Sequence, residues 1–169
     1  NNLGNIFKEL DHLNDAVKSY KRAIKINPDF AHAHNNLGNA FKDLNQTDKA
    51  IKSYESAIKI NPEFAEAHNN LGSVLNDQKK FDDAMNSFEN ALSLNPDFVE
   101  AHNNLGSVLK SLGRLNDAIQ HYEKVININP NYLQAYCDLG MTLVALGKVK
   151  KSTQYFQKAI EIKPDYAEA

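Results

Sequence analysis

Apolar and polar residues follow each other along the chain with the spacing of amphipathic helices. Between residues 31 and 44 the apolar positions are Ala33, Leu37, Ala40, Phe41 and Leu44. After the polar break at residues 45–47, a second segment of the same spacing extends to about Ile60, and Asp48 is placed to cap it. Pro62 follows, and proline cannot continue a helix. The pattern therefore predicts two helices joined by a short turn.

This two-helix pattern recurs along the whole chain. The five prolines stand 34 residues apart, as do five of the seven glycines. These are Pro28, Pro62, Pro96, Pro130 and Pro164, with Gly4, Gly38, Gly72, Gly106 and Gly140. A fixed period of this length indicates a stacked array of small units. Residues equivalent to Asp48, namely Asn14, Asp82 and Asn116, are expected to cap the second helices of the first, third and fourth repeats, whereas the fifth has Lys150 there. The five repeats predict ten helices in five antiparallel pairs.

The repeated positions resemble the tetratricopeptide repeat (TPR) family. In the second unit they are Leu37, Gly38, Phe41, Ala50, Tyr54, Ala57 and Pro62. The family's usual tryptophan is replaced by His34 and its equivalents. The resemblance implies an all-α, right-handed superhelical solenoid of about five helix-turn-helix repeats, with the first helices on the concave face. It covers residues 1–169 as one array, with repeats at about 1–30, 31–64, 65–98, 99–132 and 133–166 and the start of a sixth at 167–169.

Composition excludes several classes of function. The net charge of the 169 residues is −2, whereas a dedicated nucleic-acid binder carries a basic excess. No apolar run is long enough to span a membrane. The single cysteine, Cys137, lacks an activating motif, and His34, His68 and His102 lie one repeat apart, too far to share a metal. We therefore expect no enzyme activity, cofactor or metal, and a cytoplasmic location because no signal peptide is visible.

Asparagine is unusually frequent, with 22 residues, and many fall on the first helices. A carboxamide both donates and accepts hydrogen bonds, so it can pair with a peptide backbone. A column of them, repeated at helix spacing, could hold an extended polypeptide. The alternative is that they solvate the helix face or bond within the array. The candidate peptide-binding residues are Asn2, Asn36, Asn70, Asn104, Asn35, Asn69, Asn103, Asn39 and Asp138.

The string His-Asn-Asn-Leu-Gly is similar to the repeats of O-linked N-acetylglucosamine transferase. In those repeats an asparagine ladder lines the inner face and grips extended polypeptide. The resemblance implies that Asn2, Asn36, Asn70 and Asn104 are the ladder positions, and that Asp138 interrupts the ladder in the fifth repeat. The lysines and arginine of the chaperone-binding members of the family are missing at their positions, so capture of a chaperone C-terminus is not expected.

The fifth repeat carries an apolar stripe in place of polar residues. Its members are Leu133, Cys137, Met141 and Val144. The stripe is interpreted either as an apolar pocket at the end of the groove or as a surface that packs on a further repeat. Both interpretations stay open at the level of sequence.

The leading hypothesis is a non-catalytic module that binds a protein or peptide along an asparagine-lined groove. Two alternatives are a substrate-recruiting arm of a glycosyltransferase whose catalytic domain lies outside the chain, and a self-assembling scaffold. Since no capping helix is visible, we interpret the sequence as a piece of a longer protein. At the face of the last second helix, some of Phe156, Ala159, Ile160 and Tyr166 are expected to be uncovered, and uncapped repeat ends of this kind are expected to favour self-association.

Overall fold

A computed structural model of the chain describes residues 1–164. All regular structure in this range is helical, with ten α-helices and no β-strand, as the repeat pattern predicts. The helices are α1 (Asn2–Glu9), α2 (Leu13–Ile26), α3 (Ala31–Asp43), α4 (Thr47–Ile60), α5 (Ala65–Asp77), α6 (Phe81–Leu94), α7 (Val99–Ser111), α8 (Leu115–Ile128), α9 (Leu133–Ala145) and α10 (Val149–Ile162). Tyr166 and the start of a sixth repeat lie outside the described residues.

The helices pack as consecutive hairpins in two compact units. In the first unit, residues 1–94, the hairpins are α1–α2, α3–α4 and α5–α6, and neighbouring hairpins meet through α2–α3 and α4–α5. In the second, which begins at Asn95, the hairpins α7–α8 and α9–α10 meet through α8–α9. Each hairpin corresponds to one 34-residue repeat, so the predicted helix pairs are confirmed.

The glycine of each first helix makes room for an aromatic ring of the second helix. A Cβ atom built on Gly38 would lie 2.5 Å from Cε1 of Tyr54, which is closer than two non-bonded carbon atoms can approach. Gly4 stands in the same relation to Tyr20, and Gly72 to Phe88. Tyr20, Tyr54 and Phe88 are buried, and the two tyrosines belong to one hydrophobic core cluster.

The turn within each hairpin contains one residue in the left-handed backbone region. The values of φ are 58° at Asp11, 56° at Asn45 and 59° at Lys79, and 75° and 71° at Gly113 and Gly147. This residue reverses the direction of the chain, so that the backbone N–H of the residue after it donates to a carbonyl oxygen of the first helix. In the second hairpin, for example, the N–H of Gln46 donates to the carbonyl oxygen of Phe41 at 2.8 Å.

The prediction that Asp48 and its equivalents cap the second helices is wrong. Helix α4 begins at Thr47, its N-cap is Gln46, and no side chain caps it. Asp48 lies inside the first turn instead. The backbone bond made by Gln46 fixes the start of the helix, and the carboxylate of Asp48 then faces the positive end of the helix dipole. Asn14, Asp82 and Asn116 likewise lie within the first turns of α2, α6 and α8.

The link between repeats is closed by an asparagine side chain and a histidine. Oδ1 of Asn61 accepts the backbone N–H of Glu63 at 3.2 Å, which fixes the turn around Pro62. Nε2 of His68 then bonds to the carbonyl oxygen of Pro62 at 3.0 Å. In the fifth repeat the hydroxyl of Tyr136 makes the same bond to its own proline carbonyl, also at 3.0 Å. The histidines therefore stand in for an aromatic N–H or O–H donor.

Candidate peptide-binding face

The paired asparagines of the second and third repeats differ in burial. Asn35 and Asn69 are only 6% and 8% exposed. Asn36 and Asn70, each one residue further along, are half-buried. Asn2 is exposed and Asn104 half-buried at the same repeat position, so the four predicted ladder residues are all at least partly accessible.

Hydrogen bonds between neighbouring repeats hold the two columns together. In the first unit Nδ2 of Asn70 donates to Oδ1 of Asn35 at 3.0 Å, and Nδ2 of Asn36 donates to Oδ1 of Asn1 at 3.3 Å. The first asparagine of the pair in one repeat thus accepts from the second asparagine of the pair in the next repeat. The carboxamide of Asn35 therefore orients the amide of Asn70, while Asn36 and Asn70 themselves are partly accessible.

The accessible asparagines keep one polar atom unused. Within the described residues, neither Asn36 nor Asn70 engages its Oδ1 in a hydrogen bond. Because the Nδ2 side of each amide is held by the preceding repeat, the carbonyl oxygen is the atom that stays available for a further hydrogen bond. A fixed carbonyl acceptor is suited to the N–H groups of an extended peptide.

A third asparagine column is tied to the core. The hydroxyl of Tyr20 donates to Oδ1 of Asn5 at 2.8 Å, and the hydroxyl of Tyr54 donates to Oδ1 of Asn39 at 2.8 Å. Asn5 also accepts from Nδ2 of Asn36 at 3.1 Å. Burial raises the pKa of the Tyr54 hydroxyl, so it remains a proton donor. The repeat pattern includes Tyr54, but it does not predict that each tyrosine hydroxyl bonds to an asparagine 15 residues earlier in the chain.

In the fifth repeat the ladder position is occupied by Asp138, which belongs to a buried ion pair. Asp138 is 7% exposed, and its Oδ1 accepts from Nζ of Lys110 at 2.7 Å. Its Oδ2 accepts from Nε2 of Gln134 at 3.1 Å. A carboxylate cannot donate, and Oδ1 of Asn103, the equivalent of the acceptors Asn1 and Asn35, is buried without a partner.

Charged residues of adjacent first helices also pair in the first unit. Nζ of Lys8 lies 3.2 Å from Oδ2 of Asp43, and Nζ of Lys42 donates to Oγ of Ser73 at 2.8 Å. These contacts run across the step from one repeat to the next, like the amide bonds beside them. The face therefore presents polar groups that are already oriented by the array.

The predicted apolar stripe of the fifth repeat is divided by the structure. Cys137 is 1% exposed and packs with Tyr136 and Ala159, and Leu133 lies half-buried against this cluster. Met141 and Val144 are 44% and 47% exposed. The interior part of the stripe belongs to the α9–α10 core, and only its second half is available to a partner.

A histidine pair distinguishes the fourth repeat. Nδ1 of His102 lies 2.9 Å from Nδ1 of His121, while Nε2 of His102 bonds to the carbonyl oxygen of Pro96 at 3.0 Å. Since a carbonyl only accepts, His102 carries its proton on Nε2, and His121 donates from Nδ1. Burial and the neighbouring His102 lower the pKa of His121. No role for His121 was predicted, because its partner lies 19 residues away on another helix.

Two general properties of residues 1–164 bear on function. None of their helices has the length and apolar character needed to cross a bilayer. Over the same residues, no three side chains of histidine, cysteine, aspartate or glutamate come together in a way that could hold a metal ion.

Comparison with protein families gives matches along nearly the whole chain. A model described as "TPR repeat" matches residues 4–45, 38–78 and 72–113, and models described as "Tetratricopeptide repeat" match residues 99–132 and 133–166. The described fold of helical hairpins is the one that these repeats form. No curated protein sequence matched the chain.

Several solved structures share the fold. A crystal structure of MamA superposes with a TM-score of 0.86 at 28% identity, covering 98% of this chain and 97% of that one. The YrrB structure, described as "a TPR protein with an unusual peptide-binding site", gives a TM-score of 0.79 at 24% identity over 99% and 86% of the two chains. PilF from Pseudomonas aeruginosa gives 0.88 at 23% identity over 95% and 73%. The all-α TPR solenoid class predicted from the sequence is confirmed.

Proposed function

Because this chain belongs to the tetratricopeptide repeat family, we propose that it is a protein-interaction module that binds an extended polypeptide along the asparagine face of its first helices. The proposal concerns the ligand's backbone more than its side chains. Carboxamides pair with any peptide group, so a ladder of them tolerates many ligand sequences.

The observation that carries the proposal is the fixed orientation of the ladder amides. The Nδ2 atom of Asn70 is held by Asn35, and that of Asn36 by Asn1 and Asn5, which leaves each Oδ1 directed away from these bonds. An acceptor that is already oriented loses little side-chain entropy on binding, and this favours affinity. We propose that each free Oδ1 accepts one backbone N–H of the ligand.

The proposed module does no chemistry itself. Charged groups of the face are engaged in pairs, Lys8 with Asp43 and Lys110 with Asp138, and so are suited to maintaining the array. The similarity to the repeats of O-linked N-acetylglucosamine transferase forms part of the same proposal, as a shared way of reading a peptide backbone. No observation favours a catalytic arm over a simple binding module.

The experiment is a titration with a fluorescently labelled, disordered polypeptide rich in serine, threonine and glycine. The double variant Asn36→Ala/Asn70→Ala removes two acceptors. At about 0.5–1.5 kcal/mol for each lost hydrogen bond, we expect the Kd to rise by about tenfold or more. The matched control is Asn86→Ala/Asn116→Ala, which removes two exposed asparagines from second helices and should leave the Kd unchanged.

Circular dichroism and thermal unfolding separate binding from folding. The ladder variant also loses contacts between repeats, so a modest decrease in Tm is expected. Binding is therefore compared at a temperature where both variants are fully helical. If the ladder variant bound the polypeptide as tightly as the wild type there, the asparagines would serve the array alone and the proposal would be rejected.

A further inference from the structure

The repeat sets the spacing between two carbonyl acceptors of the first unit. Asn36 of α3 and Asn70 of α5 are equivalent residues, and neither uses its Oδ1 in a hydrogen bond within the described residues. The 3.0 Å bond from Nδ2 of Asn70 to Oδ1 of Asn35 joins α5 to α3. Neighbouring helices lie about 8–10 Å apart, so the Oδ1 atoms of Asn36 and Asn70 are separated by about the same distance.

This spacing selects among the conformations of a bound chain. A β-strand presents the N–H groups of one edge at every second residue, which is a step of about 6.8 Å. In a polyproline II helix three residues complete one turn of about 9.3 Å, so every third N–H lies on the same side. The polyproline II helix has no internal hydrogen bonds, so these N–H groups are available to a partner. The spacing of the two acceptors therefore fits a polyproline II helix and not a β-strand.

An aromatic platform, formed by His32 and Phe64, lies on the same face of α3. His32 precedes Asn36 by four residues, so the two side chains are neighbours on the helix surface. His32 is exposed, and its ring centroid is 4.6 Å from that of Phe64. Phe64 is only 7% exposed and stands at the start of α5, so it supports one side of the imidazole. Proline-rich segments in the polyproline II conformation are bound by aromatic surfaces of this kind.

We propose that the ligand of the asparagine face is a proline-rich segment in the polyproline II conformation, with a residue other than proline at every third position. This inference rests on the proposed function and names the class of polypeptide bound. Every third residue supplies the N–H that Oδ1 of Asn36 or Asn70 accepts, and a proline between them packs on His32. The intervening positions accept proline because their nitrogen atoms face away from the ladder. Proline there also holds the ligand in its bound conformation beforehand, which reduces the entropy lost on binding.

Three fluorescently labelled peptides of equal length test the spacing by anisotropy titration. The in-phase peptide is four copies of Pro-Pro-Ser, and the out-of-phase peptide is two copies of Ser-Ser-Pro-Pro-Pro-Pro. Their compositions are the same, but only the in-phase peptide has N–H groups three residues apart. The third peptide contains proline alone and has no backbone N–H. We expect the out-of-phase Kd to be about three- to tenfold higher than the in-phase Kd, the effect of one lost hydrogen bond, and polyproline to bind more weakly than either.

The ratio of the out-of-phase Kd to the in-phase Kd connects this preference to the asparagines. In the variant Asn36→Ala/Asn70→Ala the ratio should fall to about one, because no acceptor is left to distinguish the two peptides. The control Asn86→Ala/Asn116→Ala changes exposed asparagines of second helices and should keep the ratio of the wild type. Since both peptides titrate the same protein sample, a partial loss of folded protein leaves the ratio unchanged.

The aromatic platform is tested separately by His32→Ala. This substitution removes an exposed ring but no ladder acceptor, so it should weaken binding of the in-phase peptide. It should leave the Kd of the disordered polypeptide rich in serine, threonine and glycine unchanged. The matched control is His12→Ala, because His12 is also exposed and stacks on a phenylalanine, Phe7, at 6.3 Å, but lies at the start of α2. The His12→Ala protein should bind both ligands like the wild type.

The outcomes separate this inference from the proposed function. Equal Kd values of the wild type for the in-phase and out-of-phase peptides would overturn the inference, because the spacing of N–H groups would then not matter. The proposed function would still stand if the disordered polypeptide bound in a way that depends on Asn36 and Asn70. A His32→Ala protein that bound the in-phase peptide like the wild type would reject the aromatic platform. If neither the peptides nor the disordered polypeptide bound, the proposed function would be rejected together with the inference.

Discussion

The hydroxyl of Tyr54 donates a hydrogen bond to Oδ1 of Asn39 at 2.8 Å, and this bond joins the two helices of one hairpin. In the third repeat both partners are replaced together, by Phe88 and Ser73, and no hydroxyl is left unpaired. The fourth repeat keeps the tyrosine, Tyr122, but has a serine at the position of the asparagine. The hydroxyl of Tyr122 is therefore buried without a hydrogen-bond partner. Burial and the charge of Asp138 raise the pKa of this hydroxyl.

We expect Tyr122→Phe and Tyr54→Phe to change stability in opposite directions. The first removes an unpaired buried hydroxyl, whose burial costs about 1–3 kcal/mol, so Tm should be unchanged or higher. The second breaks the bond to Asn39 and should cost about 1 kcal/mol. Thermal unfolding followed by circular dichroism compares them. A decrease in Tm for Tyr122→Phe as large as that for Tyr54→Phe would show that Tyr122 has a partner after all.

The turn residue Lys79 is held at a φ of 59°, where Gly113 stands in the next repeat. The left-handed region costs an ordinary residue about 1–2 kcal/mol, and glycine avoids this cost. Glycine also has more conformational freedom in the unfolded state, which reduces the net gain in stability. We expect Lys79→Gly to raise the unfolding free energy by about 0.5–1 kcal/mol and Gly113→Ala to lower it by about 1 kcal/mol. Urea denaturation measures both, and equal effects of the same sign would contradict the backbone explanation.

The histidine pair of the fourth repeat makes stability depend on pH. Burial and His102 lower the pKa of His121, Arg114 lowers it further, and Asp117 opposes the shift. A histidine whose pKa is lower in the folded state stabilises the fold above its unfolded pKa of about 6.5, and this contribution is lost as the pH falls towards the folded pKa. We therefore expect a lower Tm in an assay at about pH 5 than in one at about pH 7.5.

The matched variants are His121→Ser, which installs the residue present at positions 53 and 87, and His68→Ser, which removes a histidine without such a partner. His121→Ser should have the smaller dependence of Tm on pH, while His68→Ser should keep the dependence of the wild type. A His121→Ser protein whose Tm still decreased by the same amount would assign the pH effect to other groups.

The ion pair between Lys110 and Asp138 is more buried than the surface pairs of the chain. The Asp138 side chain is 10% exposed, against 64% for Glu161, which pairs with Lys158 in α10. Breaking a buried pair leaves an uncompensated charge and costs about 3–5 kcal/mol at full burial, whereas an exposed pair contributes about 0–1 kcal/mol. Because Lys110 is partly exposed, we expect Asp138→Ala to cost about 2–3 kcal/mol.

Glu161→Ala is the control for this comparison, and it should change the unfolding free energy by less than about 1 kcal/mol. Urea denaturation at low and high salt measures both. If the two substitutions had equal effects, Asp138 would be no more than a surface charge.

Periodicity was sufficient to predict the helices, because a 34-residue repeat fixes where each hairpin begins and ends. It was not sufficient for side-chain roles that depend on neighbouring repeats. Asn35 and Asn36 are adjacent in sequence and equally polar, yet Asn35 is buried and Asn36 is partly accessible. Asn35 bonds to the following repeat and Asn36 to the preceding one, so their surroundings differ in a way that the sequence of one repeat does not contain. The predicted start of α4 was also wrong. The helix begins after Gln46, whose backbone N–H bonds to Phe41, and the side chain of Asp48 does not cap it.

The direction of the amide bonds has a consequence for how these repeats vary together. In both bonds seen in the first unit the donor lies 35 residues after its acceptor, Asn36 after Asn1 and Asn70 after Asn35. A change at the donor is therefore felt upstream, in the repeat that has lost its donor, as at Asn103 before Asp138. Among relatives, we expect substitutions at the two positions to co-vary across the boundary between repeats more than within one repeat. The effect of a substitution at these positions then depends on the residue across the junction between two repeats, more than on the hairpin that contains it.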